Sequence, residues 1–144
     1  MKLSICLLIG FFIAPLINQN ANDPYCLVLK EYSAMRELYS KEIDNYVYIQ
    51  EAAYLSEAHC GRKQEDLVFV SDNKLKDLTA GKRVIRMAEI KPIQFVDGKI
   101  VVAVVEFTVS RRGRMYKFGR GDTYFYKLYL DCEIGEYRIE PTNE

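Results

Sequence analysis

The residue types that could carry nucleophilic chemistry stand together once in this chain, where His59 precedes Cys60. Neighbouring residues on a helix point in different directions, a poor geometry for a nucleophile and its base. His59 is the sole histidine, which excludes a histidine-rich metal site. Cys26, Cys60 and Cys132 lack the short paired spacing of a zinc site. No phosphate-cradling glycine loop, nucleophile elbow or metal-binding helix motif occurs. Tyrosines and carboxylates could do acid–base work in a pocket, but their spacing singles none out. The sequence therefore assigns no catalytic residue, no metal and no cofactor.

Two surface segments carry more information. Gln94-Phe95-Val96-Asp97-Gly98 falls between two strand-like runs, and Asp-Gly there is a hairpin signal. Arg111, Arg112, Arg114, Lys117 and Arg120 form a basic stretch, while Asp131, Glu133, Glu136 and Glu140 make the last hairpin acidic. A basic hairpin tip can meet an anionic surface, a polysaccharide or an acidic partner; its commoner role is a solvated turn that keeps an edge from aggregating. Arg120-Gly121-Asp122 spells the short integrin-binding tripeptide, but aromatic strand residues follow at once, whereas such a tripeptide works on a flexible loop.

The Gln-x-Val-x-Gly pattern of residues 94–98 resembles the hairpin loop that cystatins press into the cleft of cysteine proteases. The resemblance implies Gln94, Val96 and Gly98 as inhibitory residues, offering an uncharged, rigid wedge of backbone. Asp97 departs from it by adding a charge at the tip, and the chain has no tryptophan for a second wedge. An ordinary hairpin turn is the plainer reading of the same residues.

The elements that must position these segments follow a leader. Met1-Lys2, an uncharged apolar run from Leu3 to Ile17, and a polar exit through Ala21 have the order of a secretory signal peptide. The run is about fifteen residues against the roughly twenty of a spanning helix, so residues 1–21 are expected to be cleaved. That leaves no stable membrane anchor and predicts a secreted or periplasmic protein. The chain balances 20 Lys and Arg against 20 Asp and Glu; losing Lys2 leaves the remainder one unit negative, which does not suggest nucleic acid. Residues 22–144 fit one domain with a single core.

Asp23-Pro24 predicts a helix start. Tyr25, Tyr32, Tyr39 and Tyr46 recur every seven residues, joined by Val28, Met35 and Ile49, as on a core-facing helical stripe. One helix to Gly61 would be too long for a small domain. The expected break is Asp44-Asn45, giving helices over 24–42 and 46–58, with a short strand at Tyr46–Ile49 as the competing assignment.

Asp66–Val70 reads as a strand and Leu75–Leu78 as a helical turn. A meander follows over 83–95, 99–110, 114–130 and 136–140, in which Pro92 marks an edge or kink and Gly119 and Gly121 a bulge or bend. The uninterrupted apolar run Ile100–Val105 suggests a central strand covered on both faces. The predicted class is α+β: N-terminal helices packed on a curved, mainly antiparallel sheet of four to five strands.

The N-terminal helices, the long bent strands and the final Gly135-Glu136-Tyr137-Arg138-Ile139 strand resemble the nuclear-transport-factor-two-like superfamily, which includes SnoaL-like proteins. The match covers mainly residues 83–140, and Tyr137 stands where tryptophan is usual. The resemblance implies a pocket between sheet and helices, used for binding, dimerisation or catalysis.

The sequence-level expectation is an exported, non-enzymatic binding or interaction module whose partner is a small ligand or a protein, a second copy of the chain included. A cystatin-like inhibitor is the alternative. If two helices fold back about Asp44-Asn45, Cys26 and Cys60 meet at one end and pair, leaving Cys132 as a free thiol.

Overall fold

The computed structural model describes residues 23–39, 47–55, 60 and 67–142. The leader, the Asp44-Asn45 break and His59 lie outside the described residues. The first described element is α1 (Pro24–Tyr39). It starts where capping predicts: Asp23 Oδ1 accepts the backbone N–H of Tyr25 at 2.8 Å and of Cys26 at 3.2 Å. Two donors of the first turn are thus satisfied. Val28, Leu29 and Tyr32 are fully buried from its inner face, with Tyr25 and Met35 packed beside them. Burial of each large apolar side chain is worth about 2 kcal/mol, so this stripe is core.

The second helix expected over 46–58 is not formed in its described part, residues 47–55. Val47–Gln50 is instead a strand, β1, and residues 52–55 close a tight turn through reciprocal backbone hydrogen bonds of 3.0 Å between Ala52 and Leu55. The competing strand assignment was the correct one. Valine, isoleucine and tyrosine suit a pleated surface covered on both sides, and β1 gains a neighbour on each edge.

Those neighbours are β2 (Leu67–Val70) and β3 (Val84–Ile90), both parallel to β1. Helix α2 (Asp72–Leu78) and a 3-10 turn at Ala80–Lys82 carry the chain from β2 over β1 to β3, the kind of crossover that strands running in the same direction require. The remaining strands are antiparallel: β4 (Gln94–Val96), β5 (Lys99–Arg112), β6 (Met115–Asp131) and β7 (Glu136–Thr142). The sheet order is β2-β1-β3-β5-β6-β7, with β4 also on β5. The class is α+β with a curled mixed sheet, but its seven strands exceed the four to five expected. Of the two N-terminal helices predicted, the first is present as α1, and strand and turn take the described part of the second.

The strand predicted over 83–95 is split. Its β3 part pairs with β5 from Val104 to Ser110 and its β4 part from Lys99 to Val101, because Pro92 has no N–H to continue the ladder. Two tyrosines satisfy the backbone freed at the break. Tyr54 Oη donates to the Ile90 carbonyl at 2.7 Å, and Tyr25 Oη accepts the Ile93 N–H at 3.1 Å. Their rings stack 5.1 Å apart between centroids.

Each face of the sheet has its own core. One buries Ile49, Phe69, Ala88, Ile90, Val102, Val104, Tyr126 and Leu128 against α1. The other joins Tyr48, Val70, Ile85, Met87 and Val109, with Leu75 and Leu78 of α2 laid over them. Strand β5 is central as predicted, but within the apolar run Ile100–Val105 only the α1-facing Val102 and Val104 are fully buried, while Val101, Ala103 and Val105 are half-covered; on the other face it is Val109, further along β5, that is fully buried.

Cys26 and Cys60 form a disulfide with α carbons 5.2 Å apart. The predicted pairing therefore stands while the helical hairpin that suggested it does not, since the intervening chain includes β1. Cys132 is disulfide-bonded too, and no cysteine among the described residues is free, which corrects the expectation of a free thiol. Disulfides suit an oxidising compartment. No helix among the described residues is long and apolar enough to cross a membrane.

Candidate functional site

The Gln94–Gly98 segment forms a closed two-residue hairpin. Gln94 pairs with Val101, Phe95 with Ile100 and Val96 with Lys99. Asp97 and Gly98 fill the turn with φ of 49° and 74°. Positive φ at both central residues is the geometry of the hairpin turn whose twist matches its strands; glycine takes it freely and aspartate tolerates it. All three residues of β4 are exposed, with Phe95 at 78 % and Val96 at 46 % of full accessibility. The base is fixed by the Tyr25–Tyr54 clasp and by the Lys91 N–H donated to the Ala103 carbonyl at 2.8 Å. The result is a rigid projection that displays Phe95 and Val96, with Asp97 and Lys99 as the charges at its tip.

The five basic residues lie at the opposite end of β5, around the β5–β6 turn. Register places Arg111 opposite Tyr116, Arg112 opposite Met115 and Lys117 opposite Ser110. Arg111 is half-buried, its Nε donating to the Gly113 carbonyl at 2.8 Å and its guanidinium 6.0 Å from the Tyr116 ring centroid. Arg112, Arg114, Lys117 and Arg120 are exposed. The structure does not bring this basic tip together with the Gln94–Gly98 wedge, because β5 separates them. The Arg120-Gly121-Asp122 tripeptide is held within strand β6.

A third cluster escaped the sequence reading. Glu106 is 3 % exposed in the α1-facing core. It accepts the Tyr32 hydroxyl at 2.6 Å, and Arg36 stands 3.2 Å away with its side chain 21 % exposed. Tyr124 packs on Tyr32 at 5.9 Å between centroids. The β5–β6 register shifts here, so that Gly121 and Asp122 together face Glu106. That shift is the bulge expected from the two glycines. A Cβ on Gly121 would lie 2.7 Å from the Glu106 carbonyl oxygen, so only glycine fits.

Burial pushes the Tyr32 phenol well above its ordinary range, helped by its hydrogen bond to Glu106. Tyr126 is raised by burial and then by the nearby acids Glu31 and Glu106 with Tyr124, and Tyr124 by burial, Glu106 and Asp122. Glu106 has two partners and is held in place. By contrast the Tyr126 hydroxyl is buried without a hydrogen-bond partner among the described residues. The available signal was Glu106 itself, an acid that directly follows the apolar run Ile100–Val105 in a strand bound for the core.

Comparison of the chain with protein-family models, with curated proteins and with solved structures finds no match.

Proposed function

We propose that the protein is an exported, non-enzymatic interaction module that offers the Gln94–Gly98 hairpin to a protein partner. The observation that carries this reading is Phe95, 78 % exposed on a hairpin whose backbone is fixed at turn and base. Rigid exposed aromatics are favoured at interfaces because little side-chain entropy is lost on contact. Secretion or a periplasmic address fits the leader pattern of residues 1–21. A photo-reactive side chain at position 95 should cross-link to a discrete protein in the compartment that receives the chain, and the same group at exposed Lys76 on α2 should not. Equal labelling from both positions, or none from 95, ends this reading.

A narrower version takes the cleft of a cysteine protease as the target, supported by Gln94, Val96 and Gly98 on an exposed tight turn. Inhibition of papain-like proteases at micromolar protein, abolished by Val96→Asp, is the expected result; inhibition that survives the substitution points to another surface.

One observation favours a second reading, a small ligand bound between α1 and the sheet. The unpartnered Tyr126 hydroxyl is a buried polar group of the kind that a ligand oxygen or nitrogen satisfies. Without a ligand, Tyr126→Phe should leave stability unchanged or slightly raised, because an unmade hydrogen bond is removed. A ligand held there would show as a loss of about 1 kcal/mol on the same substitution in protein purified from its native host.

A further inference from the structure

The structure assigns a second contact surface, at the other end of β5: we propose that the β5–β6 hairpin tip docks the protein on an anionic lipid bilayer. From Phe107 to Gly121 the chain holds five basic residues and no acid. Arg112, Arg114, Lys117 and Arg120 make no ion pair among the described residues, so their charge is available to a partner.

Protection of an edge strand accounts for the cations alone. Among the described residues β7 pairs only with Phe125–Asp131, leaving Met115–Tyr124 of β6 with β5 as sole neighbour, and lysine or arginine on such an edge discourages aggregation. The same tip nevertheless exposes Met115 at 70 %, Phe118 at 66 % and, on the adjoining end of β3, Val84 at 63 %. Uncovered apolar groups on an edge work against that protection, and they need a different explanation.

Their distribution supplies one. Register puts Arg112, Met115 and Lys117 on one face of the hairpin and Arg111, Tyr116, Phe118 and Arg120 on the other. Cations and apolar groups therefore surround the tip. A polysaccharide chain offers its anions to the cations and nothing to Met115 and Phe118, and a protein groove that could use both kinds of side chain engages one face of the hairpin and leaves the other uncovered. A bilayer interface receives a tip from every side, its anionic headgroups meeting the arginines and lysine while Met115 and Phe118 enter the acyl boundary. This is peripheral attachment, and it does not depend on the protein-binding role of the Gln94–Gly98 hairpin.

The chain contains no tryptophan, which gives a direct test. Met115→Trp places one indole at the tip, and Lys76→Trp on α2 serves as the control. With vesicles of equimolar phosphatidylglycerol and phosphatidylcholine, the indole at position 115 should shift its emission to the blue, and the one at position 76 should not. Pure phosphatidylcholine vesicles should cause no shift, and raised salt should reverse it. Replacing Arg112, Arg114 and Lys117 by alanine should weaken vesicle binding about a hundredfold.

In co-sedimentation, Phe118→Ser should lower binding at unchanged charge. Because Phe118 also touches Phe107 and Tyr116, Met115→Ser, at a side chain that makes no ring contact, provides the same readout with the fold left intact. Equal binding to neutral vesicles, or retention on a sulfated polysaccharide with no vesicle binding, overturns the proposal.

Discussion

At the scale of single residues the decisive positions are those where a side chain is forced or forbidden. Gly121 is forced, because its α carbon lies against the Glu106 backbone in the bulge. Gly121→Ala must push β5 and β6 apart, and overpacking of this kind costs about 1–3 kcal/mol; urea unfolding should show the loss. Gly119→Ala meets only the Thr108 side chain, which can rotate away, and should cost less. The buried phenols set a pH limit. Tyr32, Tyr124 and Tyr126 are all raised from the ordinary 10.0 by burial first. Their neutral forms are favoured in the folded state, while the unfolded chain ionises near its ordinary value. Their contribution is therefore complete below pH 10.0 and is lost as pH rises beyond it. In an absorbance titration the deeply buried Tyr32 and Tyr126 should stay silent while exposed tyrosines ionise, then titrate together as the protein unfolds.

At the scale of elements, strand pairing and the covalent link share the work. The Cys26–Cys60 disulfide spans 34 residues, and closing a loop of that length stabilises by about 4 kcal/mol in the chain-entropy model. Replacing both cysteines by serine should lower the unfolding free energy by up to that amount. Peptide mapping of unreduced protein should recover the 26–60 link. Secondary structure was legible where it is local: the Asp23-Pro24 cap, the Asp97-Gly98 turn and the Pro92 interruption each depend on a few neighbouring residues. It was misread at 47–50, where a seven-residue recurrence of tyrosines carried a helical pattern across a segment of β-prone residues. Side-chain type was the better guide there, because a strand enclosed on both edges has no need of helical periodicity.

At the scale of the whole molecule, β5 ties the two proposed surfaces together while keeping them apart. Its 14 residues span about 45 Å at strand rise, with the apolar wedge at one end and the basic tip at the other. A protein seated by the tip on a membrane would carry the wedge away from it. Over that distance substitutions act independently. Phe95→Ser should leave vesicle binding unchanged, and Met115→Ser should leave cross-linking or protease inhibition by the wedge unchanged. Effects that cross over in either assay would show that the two ends form one surface.

The sequence by itself determined what depends on neighbours along the chain: the capped first helix, the order of the long antiparallel strands, the tight Asp-Gly turn and the residues it displays. It also marked the basic tip and the Cys26–Cys60 pair, although the pair came with a wrong helical hairpin. Only the tertiary structure decided that β1 and β2 join the sheet in parallel, since such pairing is made between segments that share no local signal. It alone placed Tyr32, Arg36, Glu106 and Tyr126 in one cluster, because their contacts join α1 to strands more than 60 residues away. It also decided that apolar side chains stand among the cations on both faces of the hairpin tip, which follows from the register of β5 on β6 and from what the neighbouring strands leave uncovered.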